Sequence, residues 1–305
     1  MQRLIVVGAS GLIGAHLYDL ARRSEGLRVI GTFCGRPRPN LLFFDMLRGR
    51  LDEVVPDLSE DDVVCLLAAQ SNPSWIFTNA REAGQLNISA TKALIDVVIA
   101  RGARLVFMSS VEVFDGRKGD YDEDSTPSPL NLYGRMKLEI EEYLAAKCCK
   151  HCIVRTGWNV GMSTDHRCVV ALTYETMLRA GARMARDNFF SLVDVHDTAV
   201  GLLRICEDAT VSICHLASSP AVRRVDLAAM VKMHSHYGQQ MAFDEVAFAD
   251  IPYTEPRGRL NQLNCDRTIA RYSLTFRNPE EIIRDKIAVL DEARGRIRGE
   301  IGVAP

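Results

Sequence analysis

The first apolar run of the sequence, Leu4–Val7, passes directly into the glycine-rich stretch GASGLIG and then into a segment of helical periodicity. Gly8 allows a tight turn, Gly11 lets the backbone approach a phosphate, and Gly14 lets the helix pack closely on the strand. The helix N-terminus adds free amides and the positive end of its dipole. The pattern predicts a dinucleotide-binding turn, with a purely structural turn as the alternative. Its predicted cofactor contacts are Gly8, Ser10, Gly11, Leu12, Ile13 and Gly14.

Short apolar runs alternate with longer segments of helical period through the first two-thirds of the chain, which is typical of a parallel sheet covered on both faces. The predicted fold class is α/β, a Rossmann-type doubly wound parallel sheet with a smaller C-terminal substrate lobe. The sheet domain is expected over 1–160, with a returning segment near 188–217, and the lobe mainly over 161–305. Predicted strands are Leu4–Val7, Arg28–Phe33, Leu42–Phe44, Val63–Ala68, Leu105–Met108 and Cys152–Arg155, and predicted helices are Leu12–Arg23, Asn79–Ala100 (ended by Gly102) and Tyr133–Lys147.

The alternation weakens after Gly161. A helix near Leu172–Ala185 and an extended segment Phe189–Val195 are expected, followed by a helix whose start Asp197 caps. The remaining predicted elements are a helix Val225–Tyr237, a loop Pro252–Arg259 and a final helix Pro279–Ile301.

The charge balance favours a small-molecule ligand. The 37 Lys and Arg residues against 39 Asp and Glu leave a net charge of −2, which favours neither nucleic acid nor an anionic membrane as partner. The N-terminal apolar run is too short for a signal peptide or a membrane span. An odd count of nine cysteines suits a reducing compartment, so a cytoplasmic location is expected. Cys148, Cys149 and Cys152 lack further ligands at suitable spacing, and no metal site is predicted.

The end of the second strand indicates which dinucleotide is bound. NAD-binding folds usually place an acid there for the ribose 2′-hydroxyl, and this sequence has none. Arg36 and Arg38 follow instead and suit a 2′-phosphate, so NADP is predicted in preference to NAD. The alternative is that both are solvated loop charges. Asp45 is a candidate for contact with the adenine, or for a simple cap.

Three residues form a candidate catalytic group. Tyr133 and Lys137 stand four apart in YGRMK, which places them on one helical face. The ammonium of Lys137 is therefore expected to lower the pKa of the Tyr133 phenol and to fit it for acid–base chemistry. Ser110 follows a strand at its carboxyl end, where its hydroxyl is expected to polarise a carbonyl.

Taken together, GASGLIG, Ala68-Ala69, Asn87, Ser110 before Val113-Phe114, and YGRMK resemble the extended short-chain dehydrogenase/reductase family. The stretches SSVEVFDG, HLASS and RLNQLNCDR are similar to its dTDP-4-dehydrorhamnose reductase branch. That branch usually has Asp-Tyr where this chain has Val111 and Glu112. The resemblance implies a hydrogen bond from Lys137 to the nicotinamide ribose and cofactor contacts at Ala68, Ala69 and Asn87. The sequence leaves the oligomeric state open, with a homodimer as one alternative.

Candidate substrate contacts lie at strand ends and in the late loop, and each has a structural alternative. Gln70 and Ser71 could contact the substrate or belong to a plain turn before Pro73. Trp158 and Asn159 could wall the site or pack in the core, and Glu112 stands beside Ser110. Arg257 and Arg259 suit a substrate diphosphate. The candidate substrate residues are Gln70, Ser71, Glu112, Trp158, Asn159 and Arg259.

The leading functional hypothesis is reduction of a keto group on a nucleotide-activated sugar, with hydride from NADPH and a proton from Tyr133. A nucleotide-sugar epimerase or dehydratase that recycles NAD within the site is the second hypothesis. The third is a cofactor-binding regulatory subunit similar to that of methionine adenosyltransferase, for which the intact Tyr133 and Lys137 would have no chemical use.

Overall fold

A computed structural model describes residues 3–147, 150–164 and 168–299. Cys148, Cys149 and the predicted helix end at Ile301 lie outside the described residues. The central element is a parallel sheet in the order β11-β6-β5-β4-β1-β2-β3. Its strands are β1 (Arg3–Val7), β2 (Arg28–Phe33), β3 (Leu42–Phe43), β4 (Asp62–Leu66), β5 (Arg104–Met108), β6 (His151–Thr156) and β11 (Ile213–Leu216).

Strand order reverses between β1 and β4, and ligands of open α/β sheets bind at the carboxyl ends of strands beside such a reversal. Both the glycine turn after Val7 and the segment after Leu66 lie there. The predicted Rossmann-type doubly wound sheet is confirmed, and each predicted strand is present within two residues of its expected bounds.

Helices cover both faces of the sheet, as the nearly all-buried strands require. One face buries α1 and α8, and the other buries α2, α5 and α6. In chain order the helices are α1 (Leu12–Ala21), α2 (Leu51–Val54), α3 (Pro73–Thr78), α4 (Ala80–Gly84), α5 (Thr91–Ala100), α6 (Leu132–Lys147), α7 (Val169–Met177), α8 (Val195–Glu207), α9 (Arg224–His234), α10 (Asp266–Tyr272) and α11 (Pro279–Arg298).

The predicted helix Asn79–Ala100 contains a π-helical segment, Gln85–Ala90, between α4 and α5. Gly102 has a positive φ of 71° just after this helix, which confirms the predicted terminator. Short 3₁₀ turns lie at Val111–Val113, Gly238–Gln240 and Phe248–Asp250.

A second hydrophobic cluster joins α7, α9 and α11 with short strands from the C-terminal half. These strands form three small sheets, β10-β7, β12-β9-β14 and β13-β8. Their bounds are β7 (Trp158–Val160), β8 (Arg183–Ala185), β9 (Phe189–Phe190), β10 (Leu192–Asp194), β12 (Val222–Arg223), β13 (Asp244–Val246) and β14 (Leu260–Asn261).

Three predictions for the C-terminal half are wrong in detail. The helix expected near Leu172–Ala185 ends at Met177, because Gly181 takes a φ of 77° and the chain re-enters as strand β8. The extended segment Phe189–Val195 divides between β9 and β10, which belong to different sheets. Asp197 does not cap α8, since the Asp194 carboxylate accepts from the His196 amide at 2.8 Å and is the true N-cap.

The other two C-terminal helices begin as predicted, to within one residue. Within the described ranges no helix combines the length and apolar character needed to cross a membrane.

Candidate active site

The glycine turn after β1 is built by close backbone packing. Gly8 has a φ of 92°, and a Cβ there would lie 2.9 Å from the Ala68 amide nitrogen. A Cβ on Gly14 would lie 2.2 Å from the Gly8 carbonyl oxygen. Glycine is therefore required at both positions, which agrees with the roles predicted for the first and third glycines.

The outer side of the same turn is open to a ligand. Gly11 is exposed, and Ser10, Leu12 and Ile13 are half-buried around it. Gly11 is also the N-cap of α1 and offers no side chain to its first amides, which have no partner within a helix. Free amides, the positive end of a helix dipole and an uncovered glycine fit a phosphate group.

Residues proposed for the ribose and adenine lie at the ends of β2 and β3. Arg36 is exposed, and no ion pair involves it in the part of the chain that is described. Arg38 instead pairs with Asp19 at 2.6 Å, so its charge is already compensated. Asp45 accepts from the Leu47 amide at 2.9 Å, which agrees with the alternative of a local cap.

The segment after β4 brings Ala68, Ala69 and Gln70 to the mouth of the glycine turn. Asn87 lies behind it, with Oδ1 accepting from the Gln70 amide at 3.0 Å and Nδ2 donating to the Gln70 carbonyl at 2.9 Å. Its carboxamide is thus committed to bracing this segment instead of being open to a cofactor. The π-helical segment that contains Asn87 is a type of distortion often found beside functional sites.

Ser110, Tyr133 and Lys137 converge at the carboxyl end of β5. All three are at least nine-tenths buried. Ser110 begins the 3₁₀ turn after the strand, and its side chain is near enough to the Tyr133 phenol to lower the pKa of that group. The Lys137 ammonium lies 5.8 Å from the centre of the Tyr133 ring and donates to the Met108 carbonyl at 2.7 Å.

The expected lowering of the Tyr133 pKa by Lys137 is wrong for this structure. Burial raises the pKa of the phenol well above its usual value, and the nearby Glu112 carboxylate raises it further. The Ser110 hydroxyl lowers the pKa of the phenol but is the smallest of the three effects. The spacing of four residues places Tyr133 and Lys137 on the same face of α6, but the Lys137 ammonium is directed to the Met108 carbonyl at the end of β5 and not to the phenol. Tyr133 is therefore protonated at neutral pH.

Lys137 is itself perturbed. Burial lowers its pKa to about 8, and the charge of Glu141 partly opposes this effect. The group still carries a positive charge at neutral pH, in a pocket formed by the Phe107 ring and the Met108 carbonyl. A charge buried this deeply responds strongly to whatever binds beside it.

A buried ion pair lies one helical turn beyond Lys137 and was not predicted. Arg155 of β6 donates to Glu141 through Nη2 at 2.7 Å and Nε at 3.1 Å, and the Ser109 hydroxyl donates to the same carboxylate. Both charged side chains are at most 4% exposed. The sequence contained a signal for this ion pair. A glutamate stands four residues after Lys137 on a helix face that is otherwise apolar, and an arginine stands inside an apolar strand.

The predicted substrate residues divide into two groups. Glu112 lies in the site, buried beside Ser110 and close enough to influence Tyr133. The others are bound elsewhere or exposed. Gln70 accepts from the Asn72 amide in a turn before α3, Ser71 is exposed, Trp158 packs on the C-terminal cluster, Asn159 bonds Thr156, Gly157 and Thr198, and Arg259 donates to Asp187.

Arg224, at the start of α9, was missed because no sequence signal distinguishes it from its neighbour Arg223. It is half-buried, and its guanidinium carbon lies 4.6 Å from the centre of the Phe190 ring. Both Arg224 and Arg257 are near enough to act on the Tyr253 phenol. Within the described residues neither arginine has an acidic partner, unlike Arg223 and Arg259.

The parallel sheet, the glycine turn and the Ser–Tyr–Lys group define a protein of the extended short-chain dehydrogenase/reductase type, as the sequence resemblance predicted. A model of the RmlD substrate binding domain family matches residues 1–291, and the chain belongs to this family. It is 26% identical over 295 residues to dTDP-4-dehydrorhamnose reductase of Sinorhizobium fredii, which covers 92% of this chain and 95% of the relative.

Methionine adenosyltransferase 2 subunit beta of Xenopus tropicalis is 33% identical over 140 residues, a match that covers 46% of this chain and 42% of that protein. The chain therefore spans less than half the length of this relative. The solved dTDP-4-dehydrorhamnose reductase of Bacillus anthracis in complex with NADP is 20% identical, with a TM-score of 0.76 over 94% of this chain and 99% of that one. It shares the fold.

Proposed function

We propose that this protein is an NADPH-dependent reductase that converts a keto group on a nucleotide-activated sugar into a hydroxyl, in the manner of a dTDP-4-dehydrorhamnose reductase. Family membership and the nearly full-length relative of that name support the proposal. The observation that carries it is the buried, protonated Tyr133 phenol that lies with Ser110 and Lys137 beside a strand end.

When bound, reduced nicotinamide would supply the hydride for the keto carbon. Tyr133 donates its proton to the keto oxygen as that oxygen gains the electron pair of the carbonyl bond, and the product is an alcohol. The Ser110 hydroxyl donates a hydrogen bond to the same oxygen and stabilises its developing charge. A proton from solvent then restores the phenol.

Lys137 has donors to spare for this reaction. An ammonium has three, and the Met108 carbonyl takes one at 2.7 Å. We propose that the others bind the ribose of the cofactor. The residues of the glycine turn, together with Ala68 and Ala69, are the proposed cofactor contacts, and the exposed Arg36 supports NADP over NAD.

Arg224 and Arg257 are the proposed partners of the anionic part of the substrate. Among the residues that the structure describes these two arginines have no acidic partner, and together with the Tyr253 ring they suit a phosphate and a nucleobase. Arg259 is a poorer candidate than the sequence implied, because Asp187 already engages it.

The epimerase or dehydratase hypothesis is less well supported by the electrostatics. Such cycles begin by removing a proton from the substrate, which needs a phenolate at Tyr133. Burial and the Glu112 carboxylate both disfavour that phenolate. A proton donor, as reduction requires, suits this environment better.

The test is NADPH oxidation with dTDP-4-dehydrorhamnose as the probe. We expect one NADPH consumed per sugar reduced, and a fall in kcat of about 10²–10⁴ in Tyr133→Phe without loss of NADPH binding. Tyr143→Phe, on the same helix with its hydroxyl on Asp96, is the matched control and should retain activity. Full activity of Tyr133→Phe, or turnover with no net NADPH change, would refute the proposal. Cofactor binding without turnover of any nucleotide keto-sugar would favour the regulatory-subunit hypothesis.

The finer expectations from the sequence stay proposals with their own tests. We keep the cytoplasmic location, to be checked by fractionation, and the homodimer, to be checked by light scattering. The division into a sheet domain over 1–160 and a lobe over 161–305 is also retained, with β11 returning to the sheet from the second half. Limited proteolysis can check that division.

A further inference from the structure

The first turn of α6, which bears Tyr133, is held by a segment more than 120 residues away in the sequence. The Leu132 amide at the start of this helix donates to Oε1 of Glu255 at 2.9 Å. Glu255 is 5% exposed, in a loop of the C-terminal half between Tyr253 and Arg257. Asn131, the residue just before the helix, caps the Gly134 amide locally, whereas the Leu132 amide takes its acceptor from a distant segment of the fold.

A second connection runs parallel to the first. The Glu112 carboxylate accepts from Asn131 Nδ2 at 2.5 Å and from Asn261 Nδ2 at 3.3 Å. Asn131 in turn accepts from the Gly134 amide at 2.8 Å. The segment 253–261 therefore reaches the catalytic helix twice, directly through Glu255 and indirectly from Asn261 through Glu112.

The second oxygen of Glu255, Oε2, is buried and has no hydrogen-bond partner within the described residues. Buried polar atoms are almost always bonded, so this exception calls for an explanation. The carboxylate also faces the positive end of the α6 dipole, which favours the contact between Glu255 and the helix. Structural capping alone would not require the acceptor to come from the same loop as a proposed substrate arginine.

We propose that Glu255 is a positioning residue, which couples the segment 253–261 to α6 so that the seating of this segment aligns Tyr133 for proton transfer. The inference rests on the proposed reductase function and deepens it. Because Arg257 lies two residues from Glu255, and Glu255 accepts from the Leu132 amide, the connection from substrate bound at the loop to the phenol at the helix start is short. A loop that is not seated would leave the helix start without one of its acceptors.

The test uses the full-length protein with NADPH and dTDP-4-dehydrorhamnose. Glu255→Ala should lower kcat by about 10–100-fold, since misplacement of a reacting group by about 1 Å has effects of this size, with unchanged NADPH affinity. Sodium formate should restore part of the kcat by supplying a carboxylate, and sodium chloride at equal ionic strength should not. Glu255→Gln keeps an acceptor and should stay within about threefold of wild type. Asp250→Ala, at an exposed carboxylate of the same half, is the matched control.

A second readout does not depend on turnover. Hydrogen exchange at the start of α6 should be faster in Glu255→Ala than in Glu255→Gln or wild type, without substrate. If Glu255→Ala does not fold, Glu255→Asp replaces it in both measurements, because its side chain is one methylene shorter and moves the acceptor away from the Leu132 amide. The inference would be overturned if Glu255→Ala or Glu255→Asp had the kcat and the hydrogen exchange of wild type. It would also be overturned if Glu255→Gln lost as much kcat as Glu255→Ala and formate restored none of it. If the wild-type protein does not reduce keto-sugars, but hydrogen exchange at the start of α6 is faster in Glu255→Ala, the reductase proposal fails and the coupling stands.

Discussion

Replacing Lys137 with methionine should change how the stability of this protein depends on pH. Lys137 is 6% exposed, and burial lowers the pKa of its ammonium from 10.5 to about 8. The unfolded chain therefore holds this proton up to a pH near 10.5, whereas the folded protein holds it only up to about 8. Folding with the charged group buried costs free energy, and this cost is fully present below pH 8.

The magnitude follows from the size of the shift. A difference of roughly 2.5 pH units at about 1.36 kcal/mol per unit gives a cost of about 3 kcal/mol. That cost disappears as the pH rises from 8 to 10.5, because the unfolded state then also loses the proton. The free energy of unfolding of wild type, relative to Lys137→Met, should therefore rise by about 3 kcal/mol between pH 7 and pH 10.5.

Urea unfolding at several pH values measures this difference, provided that both proteins have the same m-value. Groups that titrate in both proteins cancel from the difference in their free energies of unfolding. Loss of the hydrogen bond to Met108 changes the size of that difference more than its dependence on pH. Lys147→Met is the control, because the Tyr143 hydroxyl raises the pKa of that exposed lysine and its contribution must fall with pH. If the difference in free energy of unfolding between wild type and Lys137→Met does not change between pH 7 and pH 10.5, burial of the Lys137 charge does not carry the expected cost.

Three further predictions follow from the site. The kcat/KM for reduction should fall about tenfold per pH unit above pH 8 as Lys137 loses its charge, as measured by initial rates at low substrate. Glu141→Ala should cost about 3–5 kcal/mol by leaving its buried arginine partner unpaired, whereas the exposed Glu142→Ala should change urea stability by less than about 0.5 kcal/mol. Arg224→Gln should raise KM for the nucleotide sugar about tenfold or more with kcat unchanged. Arg223→Gln should leave KM unchanged, because Arg223 is already paired with an aspartate. Equal KM values in the two variants would contradict the proposed anion site.

The sheet was predictable because its information is local. Buried parallel strands read as short apolar runs, and a glycine turn between strand and helix has few other uses. The C-terminal half was less predictable, since the strands of its small sheets have two or three residues and pair with distant partners. Phe189 and Leu192 look like one strand, but they enter different sheets, and only tertiary packing decides this.

The candidate site divides in the same way. The serine, tyrosine and lysine were found because a strand end and a helical spacing of four fix where their backbones lie. The direction of each side chain was not fixed by spacing, and Lys137 turned to a carbonyl of β5. Arg224 and Glu255 carried no signal at all, because an isolated arginine or glutamate in a polar segment is usually solvated.

The charges around Tyr133 suggest how one motif can serve different chemistry within this fold. A lysine directed at the phenol would favour a phenolate, but here the Lys137 ammonium points to the Met108 carbonyl, and burial with the nearby carboxylate disfavours the phenolate. The balance therefore depends on distance and burial, not on the motif. Here Glu112 is fixed by an amide from each half of the protein, Asn131 and Asn261, and burial adds to its effect. The C-terminal half therefore contributes to the proton affinity of a phenol that belongs to the sheet domain. Substitutions in that half can change whether Tyr133 gives or takes a proton while the Tyr–Lys pair itself stays the same.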